Sequence, residues 1–361
     1  MPGGLRGANM WSAERKETSG NTMVCTVAIS TCNSAEYLHA RLAELLNQSL
    51  DDCFEVVVID SGSCEDEKSV CASYESKFPR LIYERTEKET LYCAWNRALF
   101  KASGKYFVNA NTDDSFHPDA LKCFTEAMES HPAASLAYAD SVWSPVPNAG
   151  YPWPDSWKSI RYQPYRAETT LFFCYTSCTQ FWRTSSLREL GGFDPALRAV
   201  GDYEVLCRMV AQGMGALHIP RTLSAFYQNP KGISQVSSSA NDEFLGVRSR
   251  FRREVDLAKL FPVNVSDKVD RRGAHLTLAL RSLRAHIPWH DEPVPDVDYA
   301  VENLLAAAVL SSSVRRGLIK LSASMVARGA LGNAACHKAA RMLLSPTGLF
   351  LLHGKALAAE L

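Results

Sequence analysis

The chain has 361 residues, of which 46% are hydrophobic and 22% are charged, so it can bury one large core with an appendage or two ordinary domains. Its 39 basic and 39 acidic side chains cancel, which removes the electrostatic argument for binding nucleic acid, and we expect no nucleic-acid partner. The 11 cysteines include no Cys-x-x-Cys pair. This spacing argues against a zinc or dithiol site and is typical of reduced cytosolic thiols.

Residues 1–21 are polar and contain several glycines, a composition that predicts a disordered tail rather than a signal peptide. No stretch reaches the roughly 18 consecutive apolar residues of a membrane span. We therefore expect a cytoplasmic protein.

Short apolar runs alternate with helical patterns over residues 22–238, and this alternation predicts a doubly wound α/β domain. The runs are continuously apolar, as expected for a mostly parallel sheet with helices on both faces. The predicted strands are 24–30, 54–59, 81–84, 106–110 and 135–140. The predicted helices are 35–48, 65–77, 91–102, 118–130 and 203–212.

A long segment rich in proline and aromatic residues follows, over residues 142–165. Loops of this length within a compact domain are usually functional or mobile. Flat aromatic rings suit the apolar face of a sugar, so we predict that Trp143, Trp153 and Trp157 contact an acceptor. An equally supported alternative is that these rings fasten the loop to the core.

Residues 239–361 have a mainly helical pattern, with a break predicted at 287–298 where three prolines lie close together. Residues 301–361 contain seven Lys or Arg and two Glu. Their charge beside a helical apolar stripe suits peripheral contact with the inner face of a membrane. A solvated helix with its stripe in a core or dimer interface is the favoured interpretation, and the oligomeric state stays open.

Polar residues follow three of the predicted strands at the point where each strand ends. They are Thr31-Cys32-Asn33, Asp60-Ser61-Gly62 and Asn111-Thr112-Asp113-Asp114. Ligands of open α/β sheets bind at the carboxyl ends of the strands. These three positions therefore predict a single ligand site.

Asp60 is an acceptor-only group at the edge of the sheet. The N3–H of uracil or thymine can donate to such a carboxylate, whereas cytosine has no donor there. We therefore predict a preference for uridine or thymidine nucleotides. The alternative is that Asp60 caps the next turn, an ordinary role for Asp.

Asp113 and Asp114 are adjacent carboxylates at the end of a buried strand, where their mutual repulsion calls for a neutralising cation. Their hard oxygen ligands predict Mn²⁺ or Mg²⁺. Neighbouring side chains at a strand end diverge, so we expect one principal ligand, Asp113, ahead of Asp114.

The chain resembles the family two glycosyltransferases of the GT-A fold over about residues 23–236. The matching segments arrive in the family's order and are residues 30–33, 91–98, 102–106 and 111–114. The resemblance implies a nucleotide-sugar donor and a glycan or lipid-linked acceptor. The nucleotide-binding residues then expected are Thr31, Cys32, Asn33, Glu36, Asp60, Ser61, Gly62, Asn96, Arg97, Asn111 and Thr112.

The resemblance also implies a catalytic base within residues 191–208, and Asp202 is the expected residue. A helix begins there, and its dipole favours the ionised carboxylate. By residue type alone Asp202 would be a simple N-cap, and Glu204 is the nearest competitor. The implied reaction inverts the sugar: an acceptor hydroxyl attacks the anomeric carbon in one displacement, without a covalent enzyme intermediate.

Three positions depart from the family pattern. Cys32 replaces an aromatic residue, Asn111 replaces the first Asp of the Asp-x-Asp pattern, and Gln228 lies near the place where many relatives have a metal-binding His. A cation held mainly by Asp113, diphosphate and water is the expected consequence.

Two other classes of function remain as alternatives. A nucleotidyltransferase usually has a glycine-rich loop with a basic residue after the first strand, and residues 31–36 have neither. A catalytically impaired glycan-binding or scaffold protein would explain Asn111 and the missing His. The presence of Asp60, Asp113 and Asp202 argues against it.

Overall fold

The structure is a computed structural model that describes residues 23–50, 53–176, 179–230, 232–233, 238–261, 267–283, 296–311 and 314. The predicted tail at residues 1–21 lies outside this part of the chain, as does most of the basic segment 301–361. The chain divides into two compact units, Met1–Glu254 and Val255–Leu361.

The first unit contains a nine-stranded sheet. Its strands are β1 (Cys25–Thr31), β2 (Phe54–Asp60), β3 (Leu81–Arg85), β4 (Tyr106–Asn109), β5 (Ser115–Phe116), β6 (Ala134–Ser144), β7 (Ser159–Ile160), β8 (Phe181–Arg183) and β9 (Gly215–Tyr227). Its helices are α1 (Ala35–Leu45), α2 (Glu67–Ala72), α3 (Leu91–Lys101), α4 (Ala120–Ser130), α5 (Thr184–Glu189), α6 (Gly201–Ala211) and α7 (Ser238–Glu254). Short 3₁₀ turns occupy Glu75–Lys77 and Ala167–Leu171.

The strand order is β3-β2-β1-β4-β8-β6-β9-β5, with β7 paired to β6. Strands β1 to β4 run parallel to one another, and β6 runs parallel to β9. The short strand β8 is antiparallel to both β4 and β6. The α/β class predicted from the sequence is confirmed, as a mixed and mostly parallel sheet.

Both faces of β1, β2 and β4 are buried, which explains their continuous apolar runs. Side chains from α1 and α4, including Leu38, Leu42 and Phe124, share a core with Val27 and Val56 on one face. Helix α3 packs against β1 and β2. The carboxyl ends of the strands are thereby fixed on a rigid support.

Helix α3 shows how local sequence sets an element's limits. The Thr90 side chain accepts a hydrogen bond from the Cys93 backbone N–H, the N-cap arrangement expected for threonine. Lys101 lies in the last turn, where its positive charge stabilises the helix by interacting with the negative end of the helix dipole.

Strand β9 is the main element that the sequence patterns did not predict. It is mostly half-buried rather than apolar throughout, and it contains Pro220, which cannot donate to a ladder. In the pairing of β6 with β9, Ala139 lies opposite Ile219, and the next residue, Asp140, lies opposite Thr222. Pro220 and Arg221 of β9 therefore have no partner in β6 and form a bulge.

The second unit contains α8 (Leu257–Leu260), α9 (Lys268–Leu283) and α10 (Val297–Leu310). Helices α9 and α10 pack together, and the His275 and Asn303 side chains are hydrogen-bonded at 2.9 Å. The helical prediction for this region is confirmed where the chain is described. Within that part of the chain, we find no helix with the length and apolar character needed to cross a membrane.

Candidate active site

The carboxyl ends of β1, β2 and β4 lie side by side, as the sequence required for a single ligand site. Thr31 pairs with Asp60 across β1 and β2. The loops after these strands are joined, because the Asn33 backbone N–H donates to Ser63 Oγ at 2.9 Å and Asn33 Oδ1 accepts from the Cys64 N–H at 2.6 Å. Asn33 has a left-handed φ of 53°, which asparagine tolerates better than most residues.

Asp60 is fully buried. Its Oδ1 accepts from the Ser63 N–H at 2.8 Å, and its Oδ2 accepts from Tyr83 Oη at 2.7 Å and lies 3.7 Å from Arg85. Burial opposes ionisation, but the hydrogen bonds from Ser63 and Tyr83 and the charge of Arg85 outweigh it and lower the pKa of Asp60. The turn-capping interpretation is therefore observed, and a contact with the base stays a prediction.

Other predicted nucleotide residues surround this edge. Cys32 and Glu36 are exposed, whereas Thr31 and Ser61 are buried and joined by a backbone bond of 2.9 Å from Ser61 N to Thr31 O. Gly62 has φ +73°, a conformation that a side chain would strain.

Asp114 is buried at the turn after β4. Its Oδ1 accepts from the Tyr227 N–H at 2.9 Å and its Oδ2 accepts from Asn111 Nδ2 at 2.8 Å. Burial, together with the charge of Asp113, raises the pKa of Asp114 to about 7. Both carboxylate oxygens of Asp114 thus have internal partners.

Two asparagines from distant loops fix Asp113 and the residue before it. Asn229 Nδ2 donates to Asp113 Oδ2 at 2.9 Å. Asn148 donates its backbone N–H to the Asp113 carbonyl at 2.9 Å and its side chain to the Thr112 carbonyl at 2.6 Å. Neither asparagine was singled out from the sequence. The only signal for Asn148 was its Asn-Ala-Gly turn pattern, and its φ is 48°.

The donor set at this turn fits a hard divalent cation. Asp113 is only half-buried, and the Asn229 amide can turn its oxygen toward the same point, because the two ends of an amide are assigned from hydrogen bonding. Burial favours the neutral form of the Asp114 carboxyl, and a cation bound beside it would favour the ionised form again. In the described ranges, no group of three His, Cys, Asp or Glu side chains surrounds a common point, so Asp113 and Asn229 would supply only some of the ligands of a bound cation.

Asp202 lies in the first turn of α6, and the N-cap of that helix is Val200. The simple N-cap interpretation of Asp202 is therefore not the one observed. Asp202 Oδ1 accepts from the Tyr203 N–H at 2.9 Å and from Tyr92 Oη at 3.5 Å. Burial raises the pKa of Asp202, and these two hydrogen bonds offset only part of that rise.

A hydrogen bond from Gln180 connects Asp202 to the edge of the sheet. Gln180 Nε2 donates to the Asp202 carbonyl at 3.2 Å. Gln180 directly precedes β8, where Phe181 pairs with Val108 of β4, so Gln180 lies level with Asn109 at the end of β4. Asp202 and the Asp113 turn therefore belong to the same edge.

Glu204, the competing base, is buried in ion pairs. Its oxygens accept from Arg208 Nε and Nη2 at 2.7–2.9 Å and lie 3.4 Å from Arg250. Arg208 also donates to the carbonyls of Leu190 and Gly192. Arg208 thereby holds the loop before α6 in place. Because the Glu204 oxygens are bound to arginines, they are not available to accept a proton from a substrate.

Asn96 and Arg97 have structural partners. The Asn96 amide donates to the Phe193 carbonyl at 2.7 Å and accepts from the Phe193 N–H at 2.8 Å. Arg97 pairs with Glu89 at 2.9 Å and with Glu84 at 3.6 Å. These contacts favour a bracing role for both residues over the predicted contact with nucleotide.

The three predicted acceptor tryptophans are all half-buried. Lys158 lies over the Trp143 ring at 5.0 Å. Trp153 donates from Nε1 to the Ala149 carbonyl at 3.0 Å and packs edge-on to Tyr151 at 5.4 Å. These partners of Trp153 belong to the same loop, so both its fastening to the core and its contact with an acceptor stay predictions.

Comparison with known proteins relates this chain to a family. The model described as Glycosyl transferase family 2 matches residues 26–191. A PGL/p-HBAD biosynthesis glycosyltransferase of Mycobacterium tuberculosis is 24% identical over 224 residues, which are 61% of this chain and 82% of that protein. A chondroitin synthase of Escherichia coli is 24% identical over 195 residues, 52% of this chain and 26% of its own length.

Among solved structures, residues 1–349 of TarS from S. aureus, in complex with UDP-GlcNAc, align with a TM-score of 0.54 and 15% identity. The alignment covers 81% of this chain and 83% of that fragment, but 50% of a longer TarS chain. A likeness at this identity concerns the fold. Residues 26–191 are therefore similar to glycosyl transferase family 2, the matched relatives of the chain include glycosyltransferases, and its fold is of the GT-A type.

Proposed function

We propose that this enzyme transfers a sugar, with inversion, from a UDP-sugar to a hydroxyl of a glycan or lipid-linked acceptor. A dTDP-sugar is the second donor class that the same chemistry admits. In this proposal Asp202 accepts the proton of the acceptor hydroxyl, and the turn that carries Asp113 lies beside the departing diphosphate.

The observation that supports it most is the setting of Asp202. Its carboxylate is oriented by Tyr92 and Tyr203, and its backbone is joined through Gln180 to the end of β4. Its raised pKa moves this carboxyl toward the neutral range in which a general base works best. Glu204 is held by arginines, so Asp202 has no rival in the same turn.

In the proposed reaction Asp202 accepts the proton of the acceptor hydroxyl as its oxygen attacks the anomeric carbon. The new carbon–oxygen bond forms as the bond to the diphosphate breaks, and attack from the opposite face inverts the sugar. Tyr92, as a donor to Asp202 Oδ1, holds the carboxylate in one orientation before the proton arrives.

Asp113 and Asn229 would hold the divalent cation, with Asp114 behind them as a buried neighbour. When bound, such a cation stabilises negative charge on the departing diphosphate. The chain's own contribution is to fix the turn through Asn148 and β9, so that the ligand oxygens need little rearrangement.

Released nucleotide tests the proposal. The full chain is incubated with Mn²⁺, methyl pyranosides as surrogate acceptors, and UDP-, dTDP- and GDP-sugars in separate reactions, and the products are separated by ion-exchange chromatography. The expected product is UDP or dTDP. Release of pyrophosphate would indicate a nucleotidyltransferase, and binding of donor with no release from any sugar would support the scaffold alternative.

A further inference from the structure

A pocket of about 720 Å³ is lined by residues of β6, β9 and the segment 161–165, and the proposed reaction assigns no role to any of them. It is lined in part by Asp140, Arg161, Tyr162, Tyr165 and His218. None of the three tryptophans predicted to bind acceptor lines it.

The floor of this pocket includes His218 and Tyr162, and both rings pack against Tyr138, which lies behind them. The His218 ring stacks on Tyr138 at 5.1 Å, and Tyr162 and Tyr175 pack edge-on to it at 6.1 and 5.2 Å. Tyr138 is fully buried. The floor therefore has one arrangement that does not depend on a ligand.

The wall formed by residues 161–165 is fastened to the sheet at three points. Tyr138 Oη donates to the Gln163 carbonyl at 2.7 Å, the Tyr162 N–H donates to Asp140 Oδ1 at 2.9 Å, and Tyr165 Oη donates to the Met214 carbonyl at 3.2 Å. This wall is built into the fold and is not a loop resting on the surface.

The polar groups that face the pocket are incompletely used. Asp140 is nine-tenths buried, and its Oδ1 accepts from both the Tyr162 N–H and His218 Nε2, the latter at 2.8 Å. Among the described residues, Asp140 Oδ2 has no hydrogen-bond partner, and Arg161 is exposed and has no ion pair. This second carboxylate oxygen is therefore free to accept a hydrogen bond from a ligand in the pocket.

We propose that this pocket binds one pyranose unit of a saccharide. Vicinal hydroxyls would donate to Asp140 Oδ2, Arg161 would donate to the sugar's oxygens, and the Tyr162 and Tyr165 rings would offer apolar surface to its C–H face. A saccharide, unlike a purely apolar ligand, satisfies both the carboxylate and the guanidinium.

The pocket is separate from the transfer edge. Asp140 precedes the end of β6 by four residues, which is about 13 Å along the strand at the usual rise per residue. Ser144, at that end, is paired with Tyr227, the residue that binds Asp114. A single sugar cannot touch both places, so the pocket would hold a more distant unit of a longer acceptor. That acceptor role rests on the proposed function, whereas the binding itself does not.

Ligand-observed saturation-transfer NMR on the full chain, with UDP and Mn²⁺ present to fill the donor site, tests the proposal without requiring transfer. The probes are the methyl pyranosides of glucose, galactose, mannose, N-acetylglucosamine, rhamnose and glucuronic acid. We expect at least one to bind with a Kd on the order of 1 mM. No binding by any probe would overturn the proposal.

Three variants locate the binding. Arg161→Gln changes an exposed residue, and Asp140→Asn keeps Oδ1 for its two internal bonds while replacing the free oxygen by a donor. Each of these two variants is expected to weaken binding of the probe by roughly fivefold or more, since a hydrogen bond to a charged group is lost.

The matched control is Arg166→Gln, the same change on an exposed residue outside the lining, with no expected effect. Equal weakening in the control, or unchanged binding in both pocket variants, would contradict the proposal. Loss of transfer with pyranoside binding intact would count against the proposed function alone.

Discussion

At the scale of single residues, Asn111 shows why a departure from the family pattern can be favourable. Its amide donates to Asp114 Oδ2 at 2.8 Å, which an aspartate at the same position could not do. A third carboxylate beside Asp113 and Asp114 would instead add repulsion at a site where burial already opposes ionisation. With Asn111 in place of an aspartate, the stability of this turn depends less on a bound cation.

We predict that Asn111→Asp destabilises the cation-free protein by about 2 kcal/mol, from a lost hydrogen bond and added repulsion. Thermal unfolding at neutral pH measures the loss, and Mn²⁺ should restore more stability to the variant than to the wild type. The control is Asn47→Asp at an exposed turn residue beyond the end of α1, where we expect a change within about 0.5 kcal/mol. An unaltered midpoint for Asn111→Asp would contradict this view of the turn.

The raised pKa of Asp202 predicts the pH dependence of transfer. A general base must be ionised, and burial keeps the Asp202 carboxyl protonated to a higher pH than an ordinary aspartate. Because the raised pKa moves ionisation of Asp202 to higher pH, kcat/KM should fall on acidification with an apparent pKa above about 3.9, the usual value for aspartate. A pH profile of UDP release measures it. A rate that stays level down to about pH 4 would exclude Asp202 as the titrating base.

At the scale of elements, the start of α6 is set by a close contact with α3. A Cβ added to Gly201 would lie 2.8 Å from two atoms of the Tyr92 ring. Only glycine lets α6 approach the tyrosine that orients Asp202. The loop before it is similarly close, because a Cβ on Gly192, which has φ +74°, would lie 2.4 Å from Asn96 Oδ1.

We predict that Gly201→Ala displaces Tyr92 or α6, costs about 1–3 kcal/mol of stability, and lowers kcat because Asp202 moves. The matched control is Gly246→Ala in α7, where nothing lies within 4 Å of the added Cβ, and where alanine should stabilise the helix by about 1 kcal/mol. Chemical denaturation and steady-state rates measure both variants. Full activity with unchanged stability in Gly201→Ala would contradict the contact.

The predictability of these elements follows from burial. Strands β1 and β2 are buried on both faces, so their apolar runs were visible in the sequence. Strand β9 is half-buried and irregular at Pro220, so no period marked it, and Asn229 beyond its end went unnoticed. The contacts of Asp60 with Tyr83 and of Asn96 with Phe193 join residues distant in sequence, so no local pattern could reveal them. The pair of Glu204 and Arg208 has the i, i+4 spacing of a helix and was visible in the sequence.

At the scale of the whole molecule, ligand binding and global unfolding are linked. A ligand that binds only the folded state raises its stability by mass action. The described site offers an acceptor-only carboxylate at Asp60 and an oxygen-rich turn at Asp113, while the similarity to the family rests on residues 26–191. The basic segment 301–361 lies largely outside the described residues, so contact with a membrane stays a prediction.

We predict that UDP with Mn²⁺ raises the unfolding midpoint of the full chain, that UDP alone raises it less, and that CDP with Mn²⁺ raises it least. Cytosine has no N3–H to donate to Asp60, and without the cation the diphosphate meets the carboxylates of the turn. Differential scanning fluorimetry with matched nucleotide concentrations measures this order. Equal shifts for UDP and CDP would remove the base-reading role of Asp60.

The role of Asp202 is tested by comparing Asp202→Asn with Asp194→Asn in one assay. Asp194 is a half-buried aspartate in the loop before α6, and its Oδ1 accepts from the Ala196 N–H at 2.9 Å, so the same substitution there controls for a disturbed loop. For Asp202→Asn we predict UDP binding close to that of the wild type and release of UDP from the donor reduced by roughly 100-fold or more, with Asp194→Asn nearly unchanged. UDP release by Asp202→Asn at the wild-type rate would show that Asp202 is not the base.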